Sequence, residues 1–220
     1  MTVNATGGGP VLRIDGAEPL SAASVEAVLA LCDAAEDHHG PGVAALRVCG
    51  APDASFPREL SVGLVSKWER AVRRLERLPM LTVAVASGDC GGAALDVLTA
   101  ADVRVAVTGT RLLIASDGEA AWPGMALHRL AQQAGTAWTR KAVLLGAPIE
   151  AEEALALHLI DTVVDDPAAT LAAFAGRAYA GTELAIRRQL IVDAGTTTFE
   201  DALGAHLAAC DRALRRGAAR

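Results

Sequence analysis

Two spacings of apolar residues alternate along this chain, and together they predict most of its elements. Between Ser21 and Asp37, Val25, Val28, Leu29 and Cys32 share one helical face, and Ser21 or Ser24 can supply the N-cap. From about Leu60 to Leu78, Leu64, Val65, Trp68, Val72 and Leu75 repeat at helical spacing, and Pro79 ends the run. Short apolar runs predict buried strands at Val11–Ile14, Val43–Cys49, Leu81–Ala86, Val103–Val107 and Arg111–Ala115. A loop from Ser116 to Pro123 precedes a helix from about Gly124 to Ala134, and a second helix stops at Gly146. Glu150–Leu159 reads as helix, Thr162–Val164 as a last strand, and everything after Pro167 as helical. Strand–helix units followed by a helical tail predict an α/β fold with a C-terminal helical subdomain, residues 1–165 forming the core and 166–220 the appended helices of the same unit.

One segment breaks the apolar pattern in a way that suggests chemistry. Gly88-Asp-Cys-Gly-Gly-Ala-Ala-Leu-Asp96 places a glycine-rich turn at the start of an otherwise apolar helix whose first turns carry one carboxylate. A helix N-terminus offers unpaired N–H groups and a positive dipole end. Glycines let another group approach that backbone. These are the parts of a site for an enolate-like oxyanion. The plainer alternative, an acid that only complements the dipole, is the less favoured reading of Asp96.

Composition narrows the classes. The 220 residues are 52% apolar but 3% aromatic, so the core is built from Ala, Leu, Val and Ile. The net charge of −6 gives no electrostatic case for nucleic acid. No run is long enough to span a bilayer and the N-terminus lacks a secretory pattern. Cys32, Cys49, Cys90 and Cys210 are scattered, as expected of reduced thiols in a cytoplasmic protein. His38, His39, His128, His158 and His206 show no metal-ligand spacing, so no metal is expected. Cys90 is either a nucleophile or a small apolar filler, and the latter is the simpler reading. Arg70, Arg73, Arg74 and Arg77 either meet phosphates or form an exposed helical face.

From Val11 to Arg216 the chain resembles the crotonase (enoyl-CoA hydratase/isomerase) superfamily. Ser87-Gly-Asp-Cys-Gly-Gly-Ala-Ala-Leu-Asp-Val-Leu-Thr-Ala-Ala-Asp102 is similar, without a gap, to the family pattern N-G-x-x-x-G-G-G-x-E-L-x-x-x-C-D. Leu144–Asp165 follows its second pattern, L-T-G-x-x-x-x-A-x-E-A-x-x-x-G-L-V-x-x-V-V, with His158 at the usual glycine. The short length, the D-C-G-G-A-A-L-D turn and Trp122-Pro-Gly-Met125 look most like the branch that assists a ketide synthase in making 3,5-dihydroxyphenylacetyl-CoA for antibiotics.

The resemblance implies a spiral of ββα units and a homo-trimer or hexamer. It implies an acyl-CoA thioester substrate, coenzyme A entering only with that substrate, and as further partners a ketide synthase and a sister crotonase-fold enzyme. Two backbone N–H groups would hold the thioester oxygen, one at Ala93 and one in the loop Ser55–Leu60. That loop is about two residues shorter than the family's, and Arg58 becomes the second donor if Glu59 takes the family's Asp place. Gly91, Gly92, Trp122 and Pro123 would line the substrate. Asp96 matches the first catalytic glutamate, and either Asp117 or Glu119 would supply the second or that role is lost. The implied reaction is hydration or dehydration of an enoyl or β-hydroxyacyl thioester by paired general acid and base. The rivals are a thioester-binding accessory subunit without turnover, and an isomerase or thioesterase on the same fold.

Overall fold

A computed structural model describes residues 9–56, 60–176, 182–195 and 197–218. The chain runs β1 (Val11–Asp15), α1 (Ala22–Glu36), β2 (Ala44–Gly50), α2 (Val62–Leu75), β3 (Thr82–Gly91), α3 (Ala93–Ala100), β4 (Val103–Val107) and β5 (Arg111–Leu113). It continues through α4 (Ala126–Ala134), α5 (Thr136–Leu145), β6 (Ile149–Glu150), α6 (Ala151–Ala156) and β7 (Thr162–Val164). Helices α7 (Pro167–Ala175), α8 (Thr182–Ala194) and α9 (Phe199–Ala218) form the tail.

Local chemistry sets the helix boundaries. Ser21 caps α1 in a reciprocal box with Ser24, and Ser61 caps α2 by accepting the Leu64 amide at 3.2 Å. Both helices turn buried stripes inward: Val28, Leu31 and Cys32 from α1, and Trp68, Val72 and Leu75 from α2. Arg74 ties the two together from the outside through Glu36 and Asp33. Arg73 pairs with Glu76, so these two arginines of the α2 face serve ion pairs here.

The sheet has the order β1-β2-β3-β4-β7 with parallel neighbours. Strand β3 differs from the sequence expectation. It does not end at Ala86 but runs through the glycine stretch to Gly91. Its first half pairs with β4 over Val83–Ala86, and its last three residues pair with β5 over Asp89–Gly91. Gly88, at φ +62°, sits at the changeover, where the strand leaves one neighbour for the other. The short strand β6, antiparallel to β5, also falls where helix was expected. His158 is the one non-glycine at positive φ among the described residues, at 57°, which explains why the resembled pattern carries glycine there.

The tail is fastened to this sheet. Leu171, Phe174 and Leu184 pack on the Val83, Val85 and Val105 face. Arg188 on α8 reaches Asp102 through Nε and Nη2 at 2.6 Å each, and donates to the carbonyls of Leu78 and Met80. Asp102 in turn accepts the Thr82 amide and hydroxyl at 2.9 Å. No described helix is long and apolar enough to cross a membrane.

Candidate active site

Strand β3 delivers the chain to α3 through Gly92, whose φ of 54° and ψ of −129° exclude a side chain. A Cβ there would also lie 2.7 Å from Pro52 Cδ and 3.5 Å from Trp122 Cδ2. The start of α3 therefore faces a wall made by Pro52 on one side and the Trp122 indole on the other. Ala93 is the first helical residue, so its N–H has no intrahelical acceptor. The second expected donor, Arg58, lies outside the described residues.

Asp96, one turn further along α3, is fully buried. A buried carboxylate needs donors, and two other stretches of chain send three of them. Trp68 on α2 donates its Nε1–H to Oδ2 at 3.0 Å, and Trp122 donates its own at 2.8 Å. The Ala126 amide at the start of α4 donates to Oδ1 at 2.9 Å. Glu69 on α2 accepts the adjoining Met125 amide at 2.8 Å, so two carboxylates from elsewhere in the chain cap α4.

Behind Asp96 stands Arg129 of α4, itself buried. Its Nε donates to Glu76 at 2.5 Å and its Nη2 to Glu69 at 3.1 Å. Its Nη1 lies 4.0 Å from Asp96 Oδ1 and has no hydrogen-bond partner among the described residues. Burial, then the charge of Glu69, push the Asp96 carboxyl up to about 6, against the two indole N–H groups and Arg129.

The space above Asp96 is closed. A Cβ on Gly124 would fall 2.6 Å from Trp122 Nε1 and collide with both Asp96 oxygens. Both Asp96 oxygens are thus occupied and covered, and the carboxylate ties Trp122 and α4 to α3. Asp117 and Glu119 do not join it. Both lie on an exposed hairpin closed by Ser116 and Ala121. The Asp117 carboxylate accepts the Ala120 and Glu119 amides, which hold it below the usual carboxylate range. The Glu119 carboxylate makes no hydrogen bond among the described residues.

Trp122 returns from that hairpin into the interior. Its amide donates to the Ala115 carbonyl at 2.8 Å, and its ring meets Phe56 at 5.4 Å and 58°. Pro123 beside it is exposed, and Gly91 is buried under β5. Cys90 is buried and its thiol is pushed up by that burial, which fits an inert filler rather than a nucleophile.

Trp68, Glu69, Gly124 and Arg129 were not singled out by the sequence patterns. Trp68 was visible only as part of an apolar stripe. The available signal was an Asp inside an apolar helix, which requires donors, together with tryptophans whose N–H requires an acceptor.

The comparisons extend these observations. A protein from Amycolatopsis orientalis, called enoyl-CoA-hydratase, is 62% identical over 210 residues, covering 94% of this chain and 97% of the relative. The chain belongs to the enoyl-CoA hydratase family, within the crotonase superfamily. No protein-family model matches it. Solved enoyl-CoA hydratases share the crotonase fold at low identity. The Thermoplasma volcanium structure aligns with a TM-score of 0.83 at 16% identity, covering 97% of this chain and 92% of that one. A Polaromonas structure aligns at 0.82 and 18%, covering 96% and 90%. In this crotonase the glycine stretch leads directly into α3, and the carboxylate of Asp96 is turned inward.

Proposed function

We propose that this protein is a hydratase-type lyase that adds or removes water across the α,β carbons of an acyl-CoA thioester. The observation that carries the reading is the start of α3: a side-chain-free Gly92 beside an intrahelically unpaired Ala93 N–H, with Pro52 and the Trp122 indole on either side. A thioester carbonyl placed there meets a backbone donor and the positive end of a helix dipole, both of which favour the developing enolate. Coenzyme A enters as part of the substrate. The name of the 62% identical relative supports the same chemistry.

Proton transfer falls to the hairpin. Asp117 is occupied by its own turn, so Glu119 is the loop carboxylate free to work on a water. Asp96 acts indirectly, by holding Trp122 and the start of α4. Glu119→Gln is expected to lower turnover about 10²–10⁴-fold, with Asp117→Asn well short of that. If Asp96→Asn, still folded, costs as much and abolishes a kinetic pKa near 6, Asp96 itself is the proton carrier and this assignment is wrong.

The finer reading is a role beside a ketide synthase in forming 3,5-dihydroxyphenylacetyl-CoA. It is supported by the D-C-G-G-A-A-L-D turn and the Trp122–Met125 segment. A second reading, a thioester-binding helper without turnover, is favoured by one observation: the oxygens of Asp96 are taken by Trp68, Trp122 and Ala126, and those of Asp117 by its own turn. Turnover of enoyl-CoAs by the isolated protein separates the two. We also propose a trimer or hexamer, because Phe199, Leu203, Leu207 and Leu214 leave α9 with an exposed apolar stripe at helical spacing.

A further inference from the structure

Resting on the acyl-CoA reading above, we infer that Trp122 is the specificity-determining residue of the site, the stopper that limits how much acyl chain it admits. A thioester oxygen held at Ala93 places its acyl group against the indole, because the ring lies over Gly92 at the same helix start. Trp122 separates two spaces. On one side is a cleft of about 50 Å³ lined by Leu20, Pro52, Phe56 and Leu60 together with the polar Glu18 and Asp53. On the other is a space of about 10 Å³ lined by Leu95, Leu113, Ile114 and Leu127. This smaller space has an apolar lining suited to hydrocarbon, yet its volume holds no more than about one water. The indole occupies the space that would otherwise join the two.

The stopper is fixed rather than loosely packed. Its backbone is tied to Ala115, its Nε1–H to buried Asp96, and its ring to Phe56. The backbone of Gly124 lies against this pair so closely that a Cβ there would collide with both Asp96 oxygens and Trp122 Nε1. A short acyl group then meets the indole face in the larger cleft, and a longer one reaches the apolar side only through the space the ring now fills.

The test uses calorimetry with butanoyl-CoA and octanoyl-CoA on the wild type, Trp122→Ala and Trp122→Phe. These saturated thioesters report binding whether or not the protein turns over. Each newly buried methylene tightens binding about four-fold, so the four extra carbons of octanoyl-CoA make a ten-fold gain a modest threshold. Trp122→Ala is expected to shift the affinity ratio toward octanoyl-CoA by at least about ten-fold, and Trp122→Phe, which keeps a ring in place, by less than about three-fold. A folded Trp122→Ala with an unchanged ratio overturns the inference. So does a Trp122→Phe shift as large as that of Ala, since the lost hydrogen bond rather than the volume would then be responsible. Should Trp122→Ala fail to fold, Trp122→Leu is read by the same criterion. Binding of neither thioester by the wild type overturns the acyl-CoA reading and this inference with it, whereas intact binding with an unchanged ratio overturns the role of Trp122 alone.

Discussion

Replacing Trp68 with Phe removes one donor from Asp96 while keeping an aromatic ring in the core. Trp68 is fully buried, and its N–H meets Asp96 Oδ2 at 3.0 Å. Two costs follow. The smaller ring leaves a void of roughly 40 Å³, worth about 1 kcal/mol. The lost bond to an ionised acceptor is worth about 1.5–3 kcal/mol more. The second cost depends on pH, because it applies in full only when Asp96 is ionised. Burial raises the Asp96 carboxyl from 3.8 to about 6, so the native state holds its proton more tightly than the unfolded chain. The stability this contributes is fully present below pH 3.8 and is lost as pH rises through about 6. Removing the indole donor raises the native value further and carries the loss to higher pH. Urea denaturation of both proteins is expected to show a deficit of about 2.5–4 kcal/mol at pH 8, shrinking toward the packing cost of about 1 kcal/mol at pH 5. Other titrating groups are shared by the two proteins and cancel to first order. An equal deficit at both pH values would refute the view that Trp68 serves the charge on Asp96.

Gly124→Ala forces a Cβ into Asp96 and Trp122 Nε1, and a thermal melt should show a loss of about 1–3 kcal/mol; a neutral effect would mean the segment above Asp96 is not closed. Arg188→Met strips Asp102 of its bidentate partner and frees α8 from the Leu78 and Met80 carbonyls. Because the pair is partly exposed, about 2 kcal/mol is expected, and limited proteolysis should cut first within the tail. Sedimentation should give a trimer or hexamer for the wild type and smaller species for Leu207→Glu, which places a charge on the α9 stripe; a monomeric wild type at micromolar concentration contradicts the proposed assembly.

The parts legible in the sequence are those with local causes. Helical stripes, serine caps and apolar runs mark most elements, and the glycine stretch marks the start of α3. The extension of β3 to Gly91 was hidden because Gly88 and Gly91 read as a turn, while the pairing that makes them strand comes from β5, over 20 residues away. The candidate site divides in the same way. The position of Asp96 in α3 is readable, and so is Ala93 as the residue that opens the helix. The surroundings of Asp96 are not, because its donors come from Trp68 on α2 and from Trp122 and Ala126 at the entry to α4, 26 to 30 residues away in sequence. Spacing identifies a carboxylate; only the fold shows that indoles and Gly124 cover it.

The most direct test of the central claim is hydration of trans-2-butenoyl-CoA, followed as loss of the enoyl-thioester absorbance, by the wild type and by Ala93→Pro. Ala93 is the first residue of α3, a position where proline is tolerated, so the substitution deletes one N–H with little cost to the helix. Wild-type turnover, reduced about 10²–10³-fold in Ala93→Pro with the fold intact, is the predicted result. No turnover by the wild type, or equal turnover by both proteins, would contradict a hydratase whose oxyanion donor is the start of α3.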